Sequence, residues 1–221
     1  MICPDDSVDG VFDDSLHLAA SDALRVGTIA QGDLLECGPD TALFEAACLM
    51  EARRVSSILV VENDEVCGIW TERDTLAIDF TQPAVFTRPI REVMSAPVYS
   101  VPASMRLHDL SQRFRDDHVR HYLVMNEVGQ RCGIVSQSDV VLNQGLEHYL
   151  RLRRVDALIK DGLHPIPAGA GLAEATRLMR EAMRDAVVVD FGVDAESDPR
   201  GRYGIVTERD LTRLVARRGI T

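Results

Sequence analysis

The sequence predicts an α+β protein made of three tandem β-α-β-β-α repeats, and three observations carry that prediction. GIWTERD (68–74), GIVSQSD (133–139) and GIVTERD (204–210) share one pattern, Gly-Ile-x-(Thr/Ser)-x-x-Asp. Upstream of each lies an amphipathic stretch: LFEAACLMEARRV (43–55), LHDLSQRFRDDHV (107–119) and LAEATRLMREAMR (172–184). Counting back further, the units start at Val26, Ile90 and Val155, spaced 64 and 65 residues apart, a regularity that chance does not produce.

Each unit opens with a short apolar leader and a brief strand, LLEC (34–37), VYSV (98–101) or LHPI (163–166). The helix follows, because apolar residues recur at i, i+3 and i+7: Leu43, Ala46 and Met50; Leu107, Leu110 and Phe114; Leu172, Ala175 and Met179. Next come the β-rich runs SSILVVE, HYLVMNE and AVVVDF, then turns at 62–66, 126–130 and 192–201, then the Gly-Ile strand. After each motif Asp a second helical stretch is expected: TLAIDF, VVLNQGLEHYL and LTRLVARRG. EHYLRLRRV (147–155) reads as a connecting helix. A small sheet covered by helices on one face leaves the other seeking a partner, so repeats should pack in pairs, sheet to sheet or helix to helix.

Composition narrows the function. A net charge of −11, from 24 basic and 35 acidic residues, argues against non-specific nucleic-acid binding or an anionic membrane partner. It leaves room for a small anionic ligand, which needs only a few local bases. No apolar run approaches membrane-spanning length, and the acidic N-terminus lacks a signal-peptide layout. The five cysteines form no CxxC, so reduced thiols and a cytoplasmic location are expected. Nucleophile elbow, Walker loop, Rossmann fingerprint and HExxH are all missing from the sequence, and the repeated carboxylates are not paired in one cleft. A non-enzyme is expected.

The order β-α-β-β-α with its closing motif resembles the cystathionine β-synthase (CBS) domain, over roughly residues 25–221. That resemblance divides the chain into an acidic N-terminal tail (1–24) and CBS repeats 1 (25–84), 2 (85–150) and 3 (151–221). It implies that repeats 1 and 2 pair as a Bateman module, usually a regulatory sensor of adenosine-containing ligands. Repeat 3 is then left without a partner in the chain. Either two chains pair their third repeats as a homodimer, or a fourth repeat has been lost. In similar proteins such arrays often precede an output domain.

The motif itself admits two readings. Thr71 and Asp74, Ser136 and Asp139, and Thr207 and Asp210 each fit S/T-x-x-D, a helix capping box. An ionised Asp at a helix start can equally accept both hydroxyls of a ribose diol, beside amides that welcome phosphate. The resemblance assigns this ribose and phosphate-proximal role to the same Thr/Ser and Asp.

It also places phosphate-facing groups at the start of the second strand: Arg120 and His121 in repeat 2, Ser56 and Ser57 in repeat 1. In repeat 3, Asp185 and Ala186 depart from the pattern. Ser100 matches the Thr common in the first strand, where repeats 1 and 3 have Glu36 and Pro165. One expected cleft joins Thr71 and Asp74 to Arg120 and His121; a second joins Ser136 and Asp139 to Ser56 and Ser57. The regulatory ligand implied is AMP, ADP or ATP, with S-adenosylmethionine or NAD(H) as further adenosyl compounds. The alternative is a dimerisation scaffold whose Thr and Asp only cap helices.

Blander readings attach to the rest. Trp70 either stacks on adenine or fills the core, and Arg73 and Arg209 either aid phosphate binding or, as the favoured reading, lie on a solvated helix face. His118 and His121 form HxxH without further ligands, and Cys37, Cys48 and Cys67 behave as small buried hydrophobes, with redox sensing a weaker reading.

Overall fold

Three sheets of three strands account for the repeat, each with its first strand parallel and its third antiparallel to the middle one. The computed structural model describes residues 24–143, 165–192 and 202–218. The acidic tail, the expected connecting helix, the leader starting at Val155 and most of the 192–201 turn lie outside the described residues.

In chain order the elements begin with α1 (Val26–Ile29), β1 (Glu36–Cys37), α2 (Leu43–Arg53), β2 (Ser57–Glu62) and β3 (Glu65–Thr71). The second repeat supplies β4 (Ser100–Pro102), α3 (Leu107–Asp117), β5 (His121–Met125), β6 (Arg131–Ser136) and α4 (Gln137–Asn143). The third supplies β7 (Ile166–Pro167), α5 (Leu172–Glu181), β8 (Ala186–Asp190), β9 (Tyr203–Thr207) and α6 (Glu208–Arg218). The apolar periods predicted α2, α3 and α5, and those faces are buried: Leu43, Ala46, Met50, Leu107, Leu110 and Met179 are at most 1% exposed.

Each of these three helices is followed by a residue in the left-handed region at the same repeat position: Arg54, His118 and Met183, with φ of 56°, 55° and 53°. That conformation stops the helix and aims the chain at the next strand. The hairpin turn at Asn63 and Asp64, with φ of 51° and 66°, suits the short polar side chains found there.

Repeat 1 departs from expectation after its motif. TLAIDF was expected to be helical, but a 3₁₀ segment (Glu72–Ala77) ends there and Ile78 is extended. Asp79 turns the chain instead, accepting bonds from the Thr81 amide and hydroxyl and from Gln82, just before Pro83.

The described residues fall into two compact units. One joins the leader, up to Gly32, to the second repeat from Tyr99; the other joins Asp33–Val98 to the third repeat. In the first unit Val26 and Ile29 are buried with Val101, Leu107, Phe114, Tyr122 and Val135. In the second, Val215 and Ala216 of α6 complete the core built by Leu43, Met50, Ile58, Trp70 and Ile90. The third repeat, expected to lack a partner in the chain, therefore packs on the first through helices.

Leaders are traded between repeats 1 and 2. The first leader runs along β6, where Gln31 and Ile134 exchange N–H···O bonds of 2.8 and 3.0 Å. The second runs along β3, where Ser95 and Ile69 do the same at 2.8 and 3.0 Å.

Candidate functional site

The repeated heptapeptide does three jobs, one for each part of its pattern. Its glycine makes room for the leader: a Cβ on Gly133 would come within 2.9 Å of the Ala30 Cβ and 3.1 Å of the Gln31 carbonyl. A Cβ on Gly68 would overlap the Met94 thioether. The isoleucine backbone then pairs with the leader, as Ile69 does with Ser95 and Ile134 with Gln31. Gly-Ile is therefore the seat of the exchanged segment, which a helix cap alone does not require.

The hydroxyl and carboxylate form the cap in all three copies. Asp74 Oδ2 accepts from the Thr71 amide at 2.7 Å and its hydroxyl at 2.6 Å. Asp139 Oδ2 accepts from the same groups of Ser136 at 2.8 and 2.6 Å, and Asp210 Oδ2 from those of Thr207 at 2.9 and 2.7 Å. The other oxygen points elsewhere. Asp74 Oδ1 accepts from the Ser95 hydroxyl at 2.9 Å and Asp139 Oδ1 from Gln31 Nε2 at 3.2 Å, so each meets a side chain of the exchanged leader. Asp210 Oδ1 meets Arg213 at 3.4 Å. Burial works to raise the Asp210 carboxyl, but the Thr207 hydroxyl and amide and Arg213 together hold it below the usual carboxylate range.

A third recurring bond ties the motif to the start of the second strand. The amide after each Thr/Ser donates to that strand's leading carbonyl: Glu72 to Ser56 at 3.0 Å, Gln137 to Arg120 at 3.1 Å, Glu208 to Asp185 at 3.1 Å. Within the first unit this gathers Arg120, His121, Ser136 and Asp139, with His121 directly across from Ser136. Ser100 stands on β4 opposite Leu123, and is exposed. Within the second unit it gathers Ser56, Ser57, Thr71 and Asp74, with Ser57 across from Thr71 and buried. The expected clefts each take one half from each unit; within a unit, these are the groups the fold brings together.

Arg120 and His121 differ in charge. Burial drives the His121 imidazole down to about 4, against the opposite pull of Asp139 and with the help of Arg120. It is neutral at pH 7, so Arg120 alone brings positive charge to that cluster.

The Glu-Arg pair kept in repeats 1 and 3 has a structural cause that the sequence reading missed. Arg73 Nη1 reaches Glu208 at 2.9 Å, and Arg209 Nε reaches Glu72 at 2.8 Å. The two TERD motifs thus cross-pair reciprocally, and Arg73 is not on a solvated face. Glu208 is 5% exposed, and Arg73 also lies 3.5 Å from Asp185, so the departure at Asp185 serves this contact. The signal was present: repeat 2, with Gln137-Ser138 in place of Glu-Arg, belongs to the other unit.

Trp70 is fully buried among Ile58, Val60 and Leu43, which removes it as an adenine-stacking surface; its Nε1 has no hydrogen-bond partner among the described residues. Burial raises the Cys37 and Cys48 thiols, which disfavours the thiolate that redox sensing needs. No group of three or more metal-ligating side chains occurs among the described residues, and none of their helices is long and apolar enough to cross a membrane.

The CBS-domain family model matches residues 26–79 and 90–144, beginning in both cases with the leader. The CBS domain-containing protein YhcV of Bacillus subtilis is 32% identical over 106 residues, 48% of this chain and 75% of that protein. The chain belongs to the CBS-domain family. Its third repeat lies beyond the matched residues but repeats the same sheet order and the same cap.

Among solved structures, protein MJ1225 of Methanocaldococcus jannaschii, proposed as an archaeal homolog of g-AMPK, aligns with a TM-score of 0.67 at 19% identity, covering 87% of this chain and 72% of that one. The CBS domain of a bacterial CNNM/CorC family Mg2+ transporter, solved in complex with ATP, aligns with a TM-score of 0.50 at 21% identity, covering 57% and 91%. The chain spans 62%, 75% and 68% of the length of the first curated relatives it matches.

Proposed function

We propose that this CBS-domain regulatory module binds an adenosine-containing ligand of the AMP, ADP or ATP type without catalysing a reaction on it. Occupancy is passed to a partner or output domain. The observation that carries the reading is the divided use of Asp74 and Asp139. One oxygen of each completes the cap, while the other is turned away from the cap and, among the described residues, meets a leader side chain, Ser95 or Gln31. A ribose diol needs that outward oxygen as its acceptor. A ligand that takes it competes with the leader, and each leader ends where the chain passes from one unit to the other.

Thr71, Ser136, Ser56, Ser57 and Ser100 supply hydroxyls near the two carboxylates, His121 a neutral imidazole and Arg120 the charge for phosphate. Thr207 and Asp210 keep the same geometry beside the acidic Asp185, so the third cluster is the poorest host for phosphate. The ATP complex of the transporter CBS domain supports the ligand class. The scaffold reading is favoured by the completeness of all three caps.

A thermal-shift panel separates them. AMP, ADP, ATP, S-adenosylmethionine and NADH are compared, with GTP as the control for base. Saturable stabilisation by one adenosyl compound supports sensing, since a ligand that binds only the folded state raises its stability. No shift with any of them supports the scaffold.

A further inference from the structure

Repeats 1 and 3 pack through helices, but the two halves of that contact are unequal. On one side α6, eleven residues long, covers α2, and its Val215 and Ala216 are buried with Leu43, Ala47 and Met50. On the other side the counterpart of α6 is the six-residue 3₁₀ segment Glu72–Ala77, whose Leu76 is buried with Met179 of α5. Counted from the motif threonines, Asp79 and Phe80 take the places of Val215 and Ala216. By then the chain has turned away, with Ile78 extended and Asp79 holding Thr81 and Gln82.

The missing length of helix coincides with a cavity of about 520 Å³ against α5, within the range of small-molecule sites. Phe80, Phe86, Leu172 and Leu214 give it apolar walls. Ala173, Thr176 and Arg180 line it from one face of α5, at i, i+3 and i+7. The Thr176 hydroxyl already donates to the Ala173 carbonyl at 3.1 Å, and Asp79 is occupied by its turn. The Arg180 guanidinium, by contrast, has no hydrogen bond or ion pair with the described residues.

The filled half of the contact shows what Arg180 lacks. Its counterpart on α2 is Glu51, which lies 3.8 Å from Arg213 of α6. The counterpart of Arg213 in repeat 1 is Ala77, which also lines the cavity and brings no charge. The shortened helix therefore leaves two things unsupplied beside α5: apolar bulk and an anion facing a cation.

We propose that this cavity binds a small amphipathic carboxylate, its apolar body along Phe80, Phe86 and Leu214 and its carboxylate on Arg180. Such a ligand joins repeat 1 to repeat 3 at the point where the chain itself does not. None of the lining residues belongs to the repeated heptapeptide, so the site stands whether or not the motif carboxylates take a nucleotide.

Calorimetric titration of decanoate, kept below its micelle concentration, into the full chain tests it. Saturable binding is expected. Arg180→Gln is expected to weaken it by about tenfold, and decanol, with the same body and no charge, to bind the wild type about tenfold more weakly than decanoate. Ala173→Phe, which sets a ring into the cavity from an exposed position, is expected to abolish binding while both variants melt within a few degrees of the wild type. Absence of saturable binding by the wild type, or binding that Ala173→Phe leaves unchanged, overturns the proposal. Decanoate affinity that is unchanged in Arg180→Gln overturns the assignment of the carboxylate to that arginine.

Discussion

Substituting alanine for the motif glycine should cost different amounts in two equivalent repeats, because the leaders present different atoms. At Gly133 the added Cβ meets the Ala30 Cβ at 2.9 Å and the Gln31 carbonyl oxygen at 3.1 Å. Neither can move without the leader backbone, and Gln31 is bonded on both sides to Ile134. Lifting the leader strains those two bonds and the fully buried Val26 behind them. Overpacking of this kind costs about 1–3 kcal/mol.

At Gly68 the three atoms nearest the added Cβ are Sδ, Cγ and Cε of Met94, a side chain with three rotatable bonds that can swing aside. The lower chain entropy of unfolded alanine then returns about 0.4–1 kcal/mol in either variant. Gly133→Ala is therefore expected to lose about 2 kcal/mol and Gly68→Ala less than about 1 kcal/mol. Urea unfolding followed by circular dichroism reads both, with unchanged m-values as the sign that stability alone moved. Equal losses, or a larger loss at Gly68, would refute the leader-seat account of the glycine.

Two further predictions concern charge. Arg73→Ala removes the cation 2.9 Å from the buried Glu208 and should cost about 3 kcal/mol, whereas Arg209→Ala, at a half-exposed arginine, should cost less than about 1 kcal/mol; chemical denaturation of the two variants gives the comparison. His121 is expected to make stability fall as pH drops from about 6.5 towards 4, because the unfolded imidazole takes its proton first. The contribution is complete above pH 6.5 and is at most about 3 kcal/mol. Unfolding midpoints across that range should slope more steeply in the wild type than in His121→Gln, and parallel slopes would contradict it.

Much of the fold could be read from the chain because each element carries its own local period. The i, i+3, i+7 faces of α2, α3 and α5 and the apolar runs of β2, β5 and β8 state their structure without reference to anything distant. The Thr/Ser and Asp of the motif likewise announced a cap. What could not be read was long-range. No periodicity says that the first leader closes the second sheet, or that Ile69 meets Ser95. The partner of repeat 3 was hidden for the same reason, although the Glu-Arg pair common to GIWTERD and GIVTERD carried it. TLAIDF was misread because its apolar spacing suits a helix while Asp79, two residues before Thr81, wins the backbone for a turn.

On the proposed function, the outward oxygen of the motif carboxylate is a ligand acceptor as well as a leader contact. Asp139→Asn and Asp74→Asn test it, since a carboxamide keeps one acceptor for the cap but loses the charge and the second acceptor. Calorimetric titration of ATP, ADP and AMP into the full chain should show saturable binding. At least one of the two variants should abolish it while melting within a few degrees of the wild type. Heat that is unchanged in both variants, or the absence of any binding by the wild type, would contradict the account and leave the carboxylates as caps alone.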